Sequence, residues 1–189
     1  MPVGAIVGII VGVVLAIIFG GGYNRLVKLR NQTKNAWSQI DVQLKRRYDL
    51  IPNLVETVKG YTKHERETLE AVTKARNIAQ QLSSSGAAER AQAESELSSA
   101  LARLMVVVEK YPELKANQNY LALQEELSST ENRISFARQY YNDSVLKYNN
   151  ATQMVPSNVV ARAFGFKSGE FFEITVAGEK EAPKVSFTQ

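Results

Sequence analysis

The sequence predicts an all-α fold: a single N-terminal transmembrane helix, an elongated antiparallel bundle of three to four helices, and a short extended C-terminal tail. Three observations carry that expectation. The opening MPVGAIVGIIVGVVLAIIFGGG has no charged side chain. The stretch that follows is rich in Ala, Leu, Glu, Lys, Arg and Gln, the residues that lose least on entering a helix. Its apolar positions recur at steps of three and four, and later at steps of seven.

Residues 1–22 form the predicted membrane segment. Val3 to Phe19 is continuously apolar or Gly. At about 1.5 Å per residue, that run with its Gly extension is just long enough for a hydrocarbon core of roughly 30 Å. A cleaved signal peptide is the rival reading, but no basic region precedes the apolar run, so a retained anchor is expected. Arg25, Lys28, Arg30 and Lys34 follow the span. The excess of basic residues on that side predicts a cytoplasmic C-terminal domain and an outside N-terminus. Gly4, Gly8, Gly12, Ala16 and Gly20 recur every four residues, making a small-residue stripe along which two helices can approach closely in lipid.

Residues 23–165 form the predicted bundle. Trp37, Ile40, Leu44, Tyr48, Ile51, Val55 and Val58 lie on one helix face, and the first soluble helix is expected to run as one rod over 23–82. Pro52 interrupts it. A proline there removes the hydrogen bond to the carbonyl of Tyr48, so a kink is expected, with the apolar phase continuing through Leu54, Val55 and Val58. Ser83, Ser84, Ser85 and Gly86 make a linker. A second helix is expected over 87–110, with Leu97, Leu101, Leu104, Met105 and Val108 on its apolar face. Pro112 suits the first turn of a third helix over 112–151, where Tyr120, Leu127, Ile134, Tyr141 and Tyr148 recur every seven residues. A short helix over 157–164 follows Pro156. The tail, 166–189, alternates apolar residues at Phe172, Ile174 and Val176 and at Val185 and Phe187, as an extended or strand-pairing segment would.

Composition excludes several chemistries. With no Cys there are no disulfides or thiolates, and one His rules out a multi-His metal site within one chain. The net charge of +4 is spread over helices in which acids and bases alternate, so nucleic acid is not an expected partner. Walker, GxGxxG and nucleophile motifs do not occur, and His64 beside Glu65 lacks the HExxH spacing. Asp41, Asp49 and Glu56 share a helix face and could hold a metal ion or serve as acid and base. Arg46, Arg47 and Lys59 lie in the same segment, and ion pairs that pin the rod to neighbouring helices are the simpler reading of all six. No enzymatic activity, cofactor or metal is therefore expected. Aromatic area near the distal end comes from Tyr140, Tyr141, Tyr148, Phe171 and Phe172. Tyr141 and Tyr148 fit an ordinary core. Phe171 and Phe172 point oppositely if extended, so one of the pair, with Val185 and Phe187, is a candidate for contact with a neighbouring copy or the membrane.

Several long stretches form a recognisable whole: YNRL at Tyr23 to Leu26, AWSQIDVQLKRRYDLIPNLVETVKGYTKHE, EKYPELKAN, ENRISFARQYYNDSVLKYN, GFKSGEFFE and the closing PKVSF. Together they resemble the LemA family over nearly the whole chain. The resemblance implies a bacterial membrane protein with one N-terminal helix and a helical bundle, in a family without an established enzymatic activity. The function expected from residues and resemblance together is a self-assembling scaffold at the bacterial inner membrane, whose partners are other copies of itself and the lipid bilayer, and which could shape or cluster membrane. An adaptor for another membrane protein, such as a protease or a signalling kinase, is the alternative; a secreted or periplasmic bundle is the third reading.

Overall fold

A computed structural model describes residues 2–62 and 64–173. Helix α1, Val3–Lys59, is a single helix of 57 residues, at about 1.5 Å per residue roughly 85 Å long. Its first part is apolar enough to cross a membrane, and among the described residues none of its most apolar window is buried. The same helix then enters the bundle, where Leu26, Ala36, Ile40, Leu44, Leu54 and Val58 are completely or almost completely buried.

The rod expected over 23–82 ends earlier than the sequence suggested. Pro52 sits inside α1 without ending it, and the helix stops at Lys59. Gly60 is a poor helix former, and the Thr62 hydroxyl donates to the carbonyl of Val58 at 3.1 Å, capping the last turn. Helix α2, Arg66–Gln81, then runs back along α1 and buries Leu69, Val72 and Ala79. The apolar phase that seemed to continue the rod is the face with which α2 folds back onto it.

A turn of 3-10 helix at Leu82–Ser84 and Gly86 lead into α3, Ala87–Val108, which runs alongside α2 with Leu97, Leu104 and Val108 in the core. The helix expected over 112–151 is divided. A single turn, α4 (Pro112–Lys115), is followed by α5, Gln118–Gln153, whose N-terminus is capped by Asn117: its Oδ1 accepts from Tyr120 N at 3.1 Å. The seven-residue seam of α5 is buried throughout, at Tyr120, Leu127, Ile134, Tyr141 and Tyr148. It lies antiparallel to α1 from Tyr61, which accepts from Asn117, back to Gln32, which donates to the Tyr140 hydroxyl.

Helix α6, Ser157–Ala163, packs against α1 at the membrane end, where Leu26, Ala151, Val160 and Ala161 form a small second core. Gly165, at φ 68°, ends it in the left-handed conformation that a glycine adopts without strain. Phe166 N donates to Ala161 O at 2.9 Å and Gly165 N to Arg162 O, the paired bonds of a Schellman turn. That turn sends residues 166–173 back along α5 as an extended strap. The remainder of the tail, including Val185 and Phe187, lies outside the described residues.

Candidate functional site

Two groups of polar side chains hold the bundle together, and both meet at Trp37. The first is a buried charged layer where α1, α3 and α5 face one another. Arg90 and Glu94 occur on α3 in helical phase with Leu97 and Leu104, so they point where the apolar face points. They are 2% and 3% exposed, and Arg47 opposite them on α1 is 3% exposed. Arg47 lies 3.5 Å from the Glu94 carboxylate and 3.3 Å from that of Glu131, and donates to Ser98 Oγ at 2.7 Å. Glu94 also accepts from the Tyr48 hydroxyl. Arg90 pairs with Asp41 and lies 5.2 Å from the centre of the Trp37 ring.

Burial is the main influence on the titration of Glu94, Tyr48 and Arg138. It raises the Glu94 carboxyl above its ordinary range, against the opposing pull of the Tyr48 hydroxyl, Arg47 and Arg90. Burial and the facing Glu94 raise the Tyr48 phenol. Burial lowers the Arg138 guanidinium, which lies 5.2 Å over the Phe172 ring. A buried acid with a shifted pKa is often catalytic. This one is 3% exposed, and its carboxylate faces Arg47 and Tyr48 of α1 in the interior of the bundle.

The second group is a clasp on the strap. Asn149 Nδ2 donates to Gly169 O at 3.0 Å while its Oδ1 accepts from Gly169 N at 2.8 Å. One heptad away, Asn142 does the same to Phe172, at 3.2 and 2.9 Å. The Tyr141 hydroxyl donates to Glu170 O at 2.8 Å. The clasp seats Phe172 against Trp37, with ring centroids 5.8 Å apart.

The residues singled out from sequence fall as follows. Asp41, Arg46 and Arg47 reach other helices, Arg46 through Glu126. Among the described residues Glu56 pairs with its neighbour Lys59, at 3.4 Å on the surface, and Asp49 is exposed with no ion pair. Gly4, Gly8, Gly12 and Gly20 have open space where a Cβ would stand, and Ala16 is exposed. Phe172 was a candidate contact residue and is instead core, 1% exposed, because the clasp turns it inward; Phe171 is half-buried against the same core. Tyr141 and Tyr148 are core, and His64 is exposed. Among the described residues no cluster of three or more His, Asp or Glu could hold a metal ion.

Sequence reasoning missed Arg90, Glu94, Asn142 and Asn149. The signal for the first two was present, as charges in phase with the α3 apolar face. The two Asn follow the seam tyrosines by one residue each, which gives no comparable signal.

A family model described as LemA family matches residues 36–187. Magnetosome protein MamQ 2 of Paramagnetospirillum magneticum is 29% identical over 181 aligned positions, covering 83% of this chain and 66% of that protein. Magnetosome protein MamQ of Magnetospirillum gryphiswaldense is 27% identical with the same coverage. Protein LemA of Metamycoplasma hominis is 28% identical over 158 positions, covering 82% of this chain and 71% of that one. The chain thus spans 66% of the length of the MamQ relatives, and none of these names denotes an enzymatic activity.

Proposed function

Because this chain belongs to the LemA family and carries a helix able to cross a membrane, we propose that it is a non-enzymatic, membrane-anchored scaffold that self-assembles at the bacterial inner membrane. The observation that carries this reading is the continuity of α1. One helix of 57 residues contains both the apolar run and the central strut of the bundle. A contact made in the bilayer therefore fixes where the bundles stand, and a contact between bundles fixes the helices below. The stripe of Gly4, Gly8, Gly12, Ala16 and Gly20, open along α1, is the proposed surface for copy-to-copy packing in lipid. The basic residues after the span favour a cytoplasmic bundle. Many copies side by side would organise or shape the membrane they stand in.

The test is the mass of the protein extracted in mild detergent, beside a Gly8→Leu, Gly12→Leu variant. The expected result is a large discrete particle that falls apart in the variant. A particle large in both moves the assembly contacts to the bundle. A monomer in both overturns self-assembly and leaves the adaptor reading, in which mass is gained only with a partner. Orientation is read separately: in right-side-out vesicles, protease should spare the bundle, and its digestion would reverse the topology.

A further inference from the structure

We propose that the α5–α6 corner is a second membrane contact: Met154, Val155, Val159 and Phe164 sink into the leaflet beside α1, and the basic side chains around them bind anionic lipid headgroups. The inference rests on α1 crossing the bilayer, and deepens that reading by naming what the bundle does at the membrane surface.

Exposure supplies the first argument. Met154, Val155, Val159 and Phe164 are 64%, 81%, 53% and 59% exposed, close together at one end of the bundle. So much adjacent apolar surface is costly in water and marks a contact. Position names the occupant. Met154 and Val155 line the same groove as Ile18, Gly21, Gly22 and Arg25 of α1. Ile18 belongs to the apolar run, so a bilayer that encloses Ile18 reaches Met154 and Val155 as well. Val160 packs onto Gly22, which holds α6 at that level rather than deeper in the bundle. Phe164 packs at a tilt against Tyr23, 4.9 Å between ring centroids, an aromatic pair at the depth where aromatic residues favour the membrane interface.

Charge supplies the second argument. Residues 2–30 and 144–169 contain Arg25, Lys28, Arg30, Lys147, Arg162 and Lys167 and no Asp or Glu. All six are exposed. Asp143 and Glu170 flank the second stretch, and the chain as a whole carries only +4, so the basic excess of these two stretches exceeds that of the whole chain. Two basic stretches flanking an apolar patch beside a membrane helix, with Arg25 in the groove itself and Arg162 on α6, match an anionic leaflet, where the attraction acts within a Debye length of the surface. Long basic side chains can lay their stems along the apolar patch and keep their charges at headgroup level. A helix held in the plane of one leaflet beside a spanning helix also fixes the tilt of the bundle and takes up area on one side of the membrane.

The absence of Cys makes a clean test possible. Full-length protein carrying one cysteine, at Val155→Cys, Val159→Cys, Ile10→Cys or Val106→Cys, is labelled with an environment-sensitive fluorophore. It is reconstituted in vesicles containing phosphatidylglycerol. Quenching by iodide reports water, and quenching by shallow or deep spin-labelled lipid reports depth. Val106, 67% exposed on α3, is the aqueous reference, and Ile10, on the face of α1 opposite the small-residue stripe, is the deep one. The expected result is deep-lipid quenching at position 10, with shallow-lipid quenching and several-fold weaker iodide quenching at 155 and 159 than at 106. Replacing phosphatidylglycerol with phosphatidylcholine, or adding Arg25→Gln with Arg162→Gln, should reduce the shallow-lipid quenching at 155 and 159 and leave position 10 deep. Iodide access at 155 and 159 equal to that at 106, with 10 still deep, overturns the second contact alone. Protection of 155 and 159 from iodide without lipid quenching overturns it in favour of a contact between copies. Iodide access at position 10 overturns the spanning helix and this proposal with it.

Discussion

Arg76 on α2 donates its Nε–H to the main-chain carbonyl of Tyr48 on α1, at 3.1 Å. That oxygen is the one Pro52 strips of its helical donor, because a proline has no N–H to return to the carbonyl four residues back. The proline that looks like a flaw in a long helix thus opens an acceptor on its side, and the returning helix fills it.

The pairing predicts a coupled response. Arg76→Met should cost about 1–3 kcal/mol, the penalty for leaving a largely buried carbonyl without a donor. Pro52→Ala should raise stability, because an interior proline costs a helix about 3 kcal/mol and the alanine supplies the missing N–H. In the Pro52→Ala background, Arg76→Met should cost clearly less. Thermal unfolding of the four proteins in one mild detergent closes the cycle. Strictly additive effects would show that the Tyr48 carbonyl is not what couples them.

Glu94 predicts a pH dependence opposite to that of an ordinary surface-paired carboxylate. Its folded-state pKa is raised, chiefly by burial. Its stabilising contribution is therefore full below the unfolded carboxylate value and is lost as pH rises through the raised folded value. Across that window the folded protein holds a proton that the unfolded chain has released. Glu94→Gln, which cannot titrate, should remove this downward slope in unfolding free energy, and a variant profile parallel to wild type would contradict the assignment. Glu94→Ala should be severe at all pH values, about 3–5 kcal/mol, since it takes a partner from the buried Arg47.

The Asn clasp predicts a local loosening. Asn142→Ala and Asn149→Ala each remove two bonds worth about 1 kcal/mol apiece. The amides of Phe172 and Gly169, which donate to those two side chains, should then exchange faster with deuterium. Trypsin should cut faster at Lys167, which is already exposed within the strap. Amides deep in α5 should keep their protection. Unchanged exchange at both positions would mean that Phe172 packing alone holds the strap.

These features mark what was legible in the sequence. The heptad tyrosines and aliphatics of α5 and the three-four stripe of α1 announced a helical bundle, because burial repeats with the helix period. What escaped was where a helix turns back. Gly60 and Thr62 end α1, but apolar residues on both sides keep a helical phase, so periodicity alone cannot separate a continuing rod from a hairpin. Asn117 was equally hidden, since an Asn mid-pattern is as readily a surface residue as a cap. Of the polar groups, the α1 charges were visible as pairing candidates, whereas their partners Arg90, Glu94 and Glu126 depended on which helices became neighbours. Which of Phe171 and Phe172 turns inward was not legible, because the turn is set by Asn142, on another element of the fold.

Gly21 and Gly22 should behave differently despite being adjacent. A Cβ built on Gly22 would stand 3.1 Å from Val160 Cγ2, closer than a comfortable contact, whereas one on Gly21 meets nothing within 4 Å. Val160 is 1% exposed and shares its small core with Leu26, Ala151 and Ala161, so it has little room to retreat. Gly22→Leu should therefore lever α6 off α1 at a cost of about 1–3 kcal/mol, the usual penalty for overfilling a packed contact. Gly22→Ala should cost less, because a shift of a few tenths of an ångström relieves it. Gly21→Leu should leave the fold unchanged and, as a better helix former, do no harm to α1. Deuterium uptake across Ser157–Ala163, with the melting temperature of each variant, separates the cases. Equal effects from Gly21→Leu and Gly22→Leu would show that something other than this approach of α6 to the backbone of α1 seats the corner.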